Sequence, residues 1–231
     1  MARKPRFRLG PGIYHVINRG INDAWILATP EERGDLLKLL VRLRQDRRIR
    51  IYHWVIMSNH FHLAVEAHDI HDLSLYVGKV CSLYSLAWHK RKGGHGPIWQ
   101  ARYRSILVQK QGYLERLGRY IERNPLAVEN PEPLARPEEY SWSSAAAYLL
   151  GAEDPLVVRD LHPHWTQWGE NDTARVAYCR NLIHRGEAAD AEVFGCSDGV
   201  IGDDDFKAQA KRMEGRMSDR REGKHRKVRR V

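Results

Sequence analysis

The chain has 231 residues, 42% of them hydrophobic, which suits one domain of ordinary size with an appendage or two small domains. No apolar run approaches the ~20 residues of a membrane-spanning helix. The stretch Met1 to Gly12 is basic without an apolar signal core, and the three cysteines (Cys81, Cys179, Cys196) stand far apart with no CxxC pair. A spanning helix, a secretion signal, a disulfide framework and a cysteine zinc site are therefore not expected, and cytoplasmic residence is. The net charge of +9 is uneven: residues 207–231 hold eleven Lys/Arg against three Asp/Glu, while residues 1–206 are nearly balanced. So dense a single-signed terminus reads as a disordered arm for nucleic acid, with a merely solubilising terminus as the alternative.

In chain order, Ile13 to Asn18 is β-rich and ends at Arg19-Gly20. A helix is expected next. Thr29 suits its N-cap, Pro30 its first position, and Glu31 and Glu32 its first turn; Leu36, Leu37, Leu39, Leu40 and Leu43 supply an apolar stripe, and arginines run to Arg48. Ile49 to Met57 reads as a second strand. The polar pair Ser58-Asn59 turns it into a third, His60 to Val65, as a hairpin. A helix from Asp72 to Lys92 carries Leu73, Val77, Val80, Tyr84 and Trp88 at helical spacing, a core stripe. After the turn Gly93 to Pro97, strand character resumes from Ile98 to Val108, and Gly112 to Arg123 is helical over Leu114, Leu117 and Ile121. The order β-α-β-β-α-β-α predicts an α+β sandwich: an antiparallel sheet with helices packed on one face. From Pro125 to Pro155 five prolines punctuate the chain. A final helix, Asn171 to Gly186, precedes the acids Asp203, Asp204 and Asp205 and then the basic tail.

Successive side chains of a strand point to opposite faces, so His60 and His62 share one face while Phe61, Leu63 and Val65 take the other. Two imidazoles on a backed strand form a platform for a metal ion. On spacing alone the plainer reading, two unrelated histidines on a half-exposed strand, is favoured. In the helix ending at Arg123, Tyr120 and Asn124 are four apart and share a face at the edge of the buried stripe, where a side chain can reach a groove. Pro125 disfavours α conformation at Asn124, so the helix is expected to end there with a free amide oxygen. His60, His62 and Asn124 would give a divalent ion three protein ligands and leave positions for phosphate oxygens and water. A tyrosine hydroxyl beside such an ion can attack phosphorus and form a covalent phosphotyrosine. Imidazole and amide ligation suits Mn²⁺ at least as well as Mg²⁺. Taken singly, Tyr120 reads equally as a boundary tyrosine and Asn124 as a helix stop. Tyr113, seven residues before Tyr120 on the same face, is the rival nucleophile.

These residues carry a resemblance. Met57-Ser58-Asn59-His60-Phe61-His62-Leu63 resembles the histidine-hydrophobe-histidine (HUH) motif of single-tyrosine transposases, and Tyr120-Ile121-Glu122-Arg123-Asn124-Pro125 resembles the tyrosine-helix motif of their REP-associated branch. Tyr14 to Gly20, Trp99 to Ser105 and Tyr140-Ser141-Trp142-Ser143-Ser144 are similar to further stretches of that branch, in the same order, over about residues 12–150. Ser58 stands where a proline is usual, which alters the turn, and nothing beyond about residue 187 matches.

The resemblance implies a ferredoxin-like fold, in a catalytic domain of residues 1–150; a helical extension (151–206) and the basic tail (207–231), read from helical pattern and charge, are expected after it. It implies metal-dependent cleavage and rejoining of single-stranded DNA beside an imperfect hairpin, such as a repetitive extragenic palindrome, through a 5′-phosphotyrosine. Tyr120 would be the nucleophile, with His60, His62 and Asn124 as ligands of Mg²⁺ or Mn²⁺. Asn18, Arg19, Trp99, Arg102, Tyr103 and Arg104 are the candidate DNA contacts: the arginines for phosphates, Trp99 or Tyr103 for stacking on a base, although either aromatic reads equally as core. A monomer is expected, with a dimer as the alternative, and no membrane partner. Two other classes stay open: a non-enzymatic single-stranded nucleic-acid-binding module on the same sheet, and a metal-dependent hydrolase that uses water instead of tyrosine.

Overall fold

The structure, a computed structural model, describes residues 10–44, 49–127, 134–196 and 199–213. Strand β1 (Gly12–Arg19), helix α1 (Pro30–Arg44), the hairpin of β2 (Ile49–Ile56) and β3 (His60–Ala67), helix α2 (Ile70–Lys92) and β4 (Arg104–Val108) form the β-α-β-β-α-β unit. Then come α3 (Lys110–Arg123), α4 (Ala145–Leu150), α5 (Asp172–Arg185), α6 (Ala188–Cys196) and the two-residue strand β5 (Val200–Ile201). The sheet order is β2-β3-β1-β4-β5. The first four strands pair antiparallel in the ferredoxin-like order, and β5 joins the edge of β4 in parallel.

Local chemistry sets several of these bounds. Thr29 N–H donates to Glu32 Oε2 (2.9 Å) and Glu32 N–H donates to Thr29 Oγ1 (3.2 Å), a reciprocal cap that starts α1 at Pro30. Asn171 caps α5 by accepting from Ala174 N–H at 2.9 Å. The strand expected from Ile98 is shorter than its residues suggest. Regular pairing begins at Arg104, and Trp99 makes only an isolated bridge to Gly20. The expected reach of α1 to Arg48 falls on residues outside those described.

The α+β class and the ferredoxin-like arrangement are those expected. The helical cover, however, is not confined to one face. On one side Phe61, Leu63 and Val65 of β3 and Tyr14 and Val16 of β1 pack with Leu36 and Leu40 of α1 and Tyr76, Val77 and Val80 of α2. On the other, Ala64, Ile13 and Ile106 pack with Leu114, Leu117 and Ile121 of α3 and Phe194 of α6. The reason lies in β3 and its neighbours, whose side chains are buried on both faces, His60 and His62 among them, and so have cover on both. The segment after residue 150 is not set apart from the sheet, since α6 packs on α3 and β5 extends the sheet. Residues 204–213 are helical with Ala210 buried, so the first part of the basic segment is ordered; residues 214–231 lie outside those described.

Candidate active site

The face of the sheet turned toward α3 carries the histidines. The tight turn at Ser58-Asn59, closed by Met57 N–H donating to His60 O (2.8 Å), sets the hairpin register and directs His60, His62 and Ala64 to that face. Both histidines are largely buried, at 9% and 5% exposure. Burial holds their imidazoles in the neutral form: His60 is pushed down to about 4, with the Arg19 charge adding to the effect, and His62 lies well below the ordinary histidine value. Neutral imidazole is the form that ligates metal.

The tyrosine helix crosses this face. A β-bulge between Ile51 and His53 turns His53 toward α3, where its Nδ1 meets Glu122 Oε1 at 2.8 Å and Ser144 donates to the same oxygen. Gly118 lets the helix come close, because a Cβ there would stand 2.5 Å from His53 Nε2. With Glu122 locked beneath, the residues flanking it in sequence reach toward the histidines. The Tyr120 ring lies edge-on to His62, centroids 5.6 Å apart. Asn124 Oδ1 lies 3.3 Å from His60 Nε2. Tyr113, the rival, instead lies under the Arg116 guanidinium at 5.4 Å. The α-helix ends at Arg123, as expected, but Asn124 keeps α conformation (φ −52°, ψ −40°). The chain tightens into a 3-10 turn from Asn124 to Ala127, in which the N–H that Pro125 lacks is not needed.

His60 touches two amide oxygens, Asn59 Oδ1 at 2.6 Å from Nδ1 and Asn124 Oδ1 at 3.3 Å from Nε2. A neutral imidazole has one N–H. In the tautomer that donates from Nδ1 to Asn59, Nε2 turns a lone pair toward Asn124 Oδ1. Two acceptors facing one another are what two ligands of one cation look like. About an octahedral ion with ~2.1 Å bonds, adjacent ligand atoms stand ~3.0 Å apart. The donor set therefore fits a divalent ion. Among the described residues no group of three or more His, Cys, Asp or Glu side chains is placed to hold a metal, so an ion here would depend on the asparagine oxygen.

One residue of the site is absent from the sequence reading. His15 of β1 is fully buried and its Nε2 lies 2.8 Å from Nδ1 of His62. Its ring also meets Tyr120 and Phe194 edge-on, at 5.8 and 6.2 Å. Burial, aided by the charge of Arg104, pushes His15 down to about 3. The signal that finds it is strand register: with Ile17 opposite His62, His15 stands diagonally beside it on the same face. Phe194 of α6 also packs against Tyr120, centroids 5.6 Å apart. A cleft of about 380 Å³ opens beside Tyr120 and Asn124, bounded by Arg123 and by Glu187, Ala188 and Asp190 from the start of α6. Arg119, buried, ties α6 down through Asp190 (2.6 Å) and Glu187 (3.0 Å).

The candidate DNA contacts divide. Arg19, Arg102 and Arg104 are exposed, and the charges of Arg19 and Arg104 reach His62. Asn18, Trp99 and Tyr103 are buried. Asn18 Nδ2 donates to Cys81 Sγ, Trp99 Nε1 to Cys81 O and Tyr103 Oη to Ser74 Oγ. Trp99 also packs edge-on against Phe61, so of its two readings the core one matches its surroundings.

Residues 12–124 match the family model described as Transposase IS200 like. Among solved structures, the chain is similar to a REP-associated tyrosine transposase bound to a REP hairpin: 18% identity, 68% of this chain and 92% of that one covered, TM-score 0.54. It is also similar to a chain from Deinococcus radiodurans R1 described as a transposase, at 21% identity, with 52% and 96% covered and a TM-score of 0.37. No curated protein sequence matches it.

Proposed function

Residues 12–124 belong to the IS200-like transposases, and from that premise we propose that the chain is a metal-dependent single-strand DNA endonuclease and transesterase acting through a 5′-phosphotyrosine. The observation that carries this reading is convergence: one turn of α3 brings Tyr120 against His62 and Asn124 to 3.3 Å from His60. His60 Nε2, His62 Nε2 and Asn124 Oδ1 would hold the ion, Mn²⁺ or Mg²⁺. When bound, it supplies Lewis-acid polarisation of a phosphodiester oxygen.

Tyr120 Oη attacks phosphorus, its bond to phosphorus forms as the bond to the 3′-oxygen breaks, and the phenol proton leaves to solvent. The 3′-oxygen takes up a proton and departs as a hydroxyl. Attack by another 3′-hydroxyl reverses these steps and frees the tyrosine. Arg19, Arg102 and Arg104 hold phosphates of the strand. The substrate is single-stranded DNA beside a hairpin, a choice supported by the REP hairpin held by the similar transposase. Both histidines, the asparagine and the tyrosine come from one chain, so the reading needs no second copy.

The test is a labelled single-stranded hairpin oligonucleotide with Mn²⁺, scored for a protein–DNA adduct that survives denaturation. Tyr120→Phe abolishes the adduct and leaves binding intact. An adduct that persists in Tyr120→Phe and vanishes in Tyr113→Phe moves the nucleophile. Cleavage without an adduct, lost in His60→Ala but kept in Tyr120→Phe, assigns the attack to water instead. Binding insensitive to EDTA, with no cleavage by the natural chain, would leave only the binding module.

A further inference from the structure

Trp25 is the most exposed of the large hydrophobic side chains among the described residues, at 71%, yet its neighbours Ile26 and Leu27 are buried at 2% and 0%. The backbone around it is fixed. Ile26 N–H donates to Ala24 O at 2.9 Å, which makes Trp25 the apex of a three-residue turn. Tyr84 Oη donates to Ile26 O (2.6 Å), Leu27 N–H to Ser58 O (2.9 Å) and Ala24 N–H to Ile21 O (2.9 Å). The loop folds so tightly over Gly20 that a Cβ there would stand 2.2 Å from Ala24 O, and Asn22 and Asp23 are held in the left-handed region at φ 50° and 59°. With Ile26 and Leu27 occupying the core, the indole is held out in solvent on a rigid mount.

That mount touches the site. Gly20 N–H donates to Asn59 O (2.7 Å), and Asn59, whose Oδ1 meets His60, also approaches Asp23 O. The charges of Arg19 and Asp23 act on His60. Arg19, ion-paired to Asp23 at 3.0 Å, and Arg104 are both exposed at the same end of the sheet, where their charges reach His62. A rigid exposed aromatic beside cationic side chains is how proteins hold single strands, because every unpaired base offers a π-face while a duplex keeps its faces stacked inside.

We propose that Trp25 is a stacking platform for an unpaired base of the DNA strand that passes His60. The proposal rests on the DNA-processing function above and adds a contact that the buried Trp99 and Tyr103 do not offer.

The test measures binding of a labelled single-stranded oligonucleotide in which one position at a time is made abasic. Stacking is worth about 5- to 150-fold in affinity per base. Trp25→Ala weakens binding by that factor, Trp25→Phe recovers most of it, and the melting temperature stays near that of the natural chain. One abasic position costs the natural chain the same factor and costs Trp25→Ala nothing further. The proposal is overturned if Trp25→Ala binds the single strand as tightly as the natural chain. It is also overturned if the loss is equal for single strand and duplex and indifferent to abasic position, or if Trp25→Ala dissolves a dimer, which would make a second copy the occupant. An unchanged Trp25→Ala that still forms the Tyr120 adduct defeats this proposal alone. A natural chain that neither binds single strands nor forms an adduct defeats the function it rests on as well.

Discussion

His62 Nδ1 lies 2.8 Å from Nε2 of His15 on the neighbouring strand, in a fully buried contact. His62 presents Nε2 to a metal only in the tautomer that donates Nδ1–H to His15, and His15 then carries its own proton on Nδ1, an atom with no hydrogen-bond partner among the described residues. In the proposed metal site, His15 would thus be a positioning residue for a ligand. Loss of such a partner typically costs about 10–100-fold in metal affinity. His15→Phe is expected to weaken Mn²⁺ binding by that order in calorimetric titration without DNA, and His15→Gln, which keeps an acceptor, to recover part. Equal affinity in natural chain and His15→Phe would remove His15 from the site.

Gly118 shows how close α3 lies to the sheet. In most helices Gly→Ala stabilises by about 1 kcal/mol. Here the new methyl meets the His53 ring at 2.5 to 2.9 Å. Overpacking of this kind costs about 1–3 kcal/mol. Gly118→Ala should lower the melting temperature and, by displacing the helix that carries Tyr120 and Asn124, reduce adduct yield more than the melting shift accounts for. A stabilised variant with full adduct yield would contradict the packing described.

Stability should fall with acidity. His15 and His60 sit at about 3 and about 4 in the folded chain, and His162, buried against Trp168, Tyr52 and Tyr148, at about 2. The unfolded chain binds these protons from about 6.5 downward while the folded chain does not, so stability is complete above that value and lost as pH falls toward 4. Each histidine contributes up to about 1.4 kcal/mol per pH unit in that window. Burial raises the carboxyls of Glu122 and Asp154, which works in the opposite sense, because the folded chain keeps protons that the unfolded chain gives up. With His62 also depressed, the histidines outnumber them. The urea midpoint is therefore expected to drop from pH 7 to pH 5; a flat or rising midpoint would contradict these assignments.

Phe194 ties the late part of the chain to the site, packed without exposure against Tyr120 and His15. Phe194→Ala removes a buried aromatic, a change that costs about 3–5 kcal/mol. For a chain of this size that is about 2–4 °C per kcal/mol in melting temperature. A shift under ~2 °C would mean that α6 does not rest on α3 in solution.

Much of this arrangement is legible in the sequence because it is local. His60-Phe61-His62 has the period of a strand, Thr29 and Asn171 are caps that name their own helices, and Tyr120 and Asn124 share a face by helical arithmetic. What is not legible depends on register between distant segments. His15 lies 47 residues from His62 and meets it only because β1 pairs with β3 as it does. His53 finds Glu122 through a bulge that no composition announces. Trp99 follows a glycine-rich turn, as an exposed residue would, yet it is core, while Trp25 sits beside apolar residues, as a core residue would, yet it is exposed. The cover of α3 and α6 on the second face required knowing that β3 is flanked on both sides.

The two-residue strand β5 has a consequence beyond the site. It occupies the outer edge of β4, with Leu107 N–H donating to Gly199 O and Gln109 N–H to Ile201 O. At the opposite edge, Ile56 N–H donates to Trp142 O and Ser144 N–H to Trp54 O. Backbone groups left open along a sheet edge invite another chain to add a strand, the usual beginning of edge-to-edge aggregation. Here both outer strands are engaged by the chain's own later segments, so growth of the sheet from copy to copy is blocked at those positions.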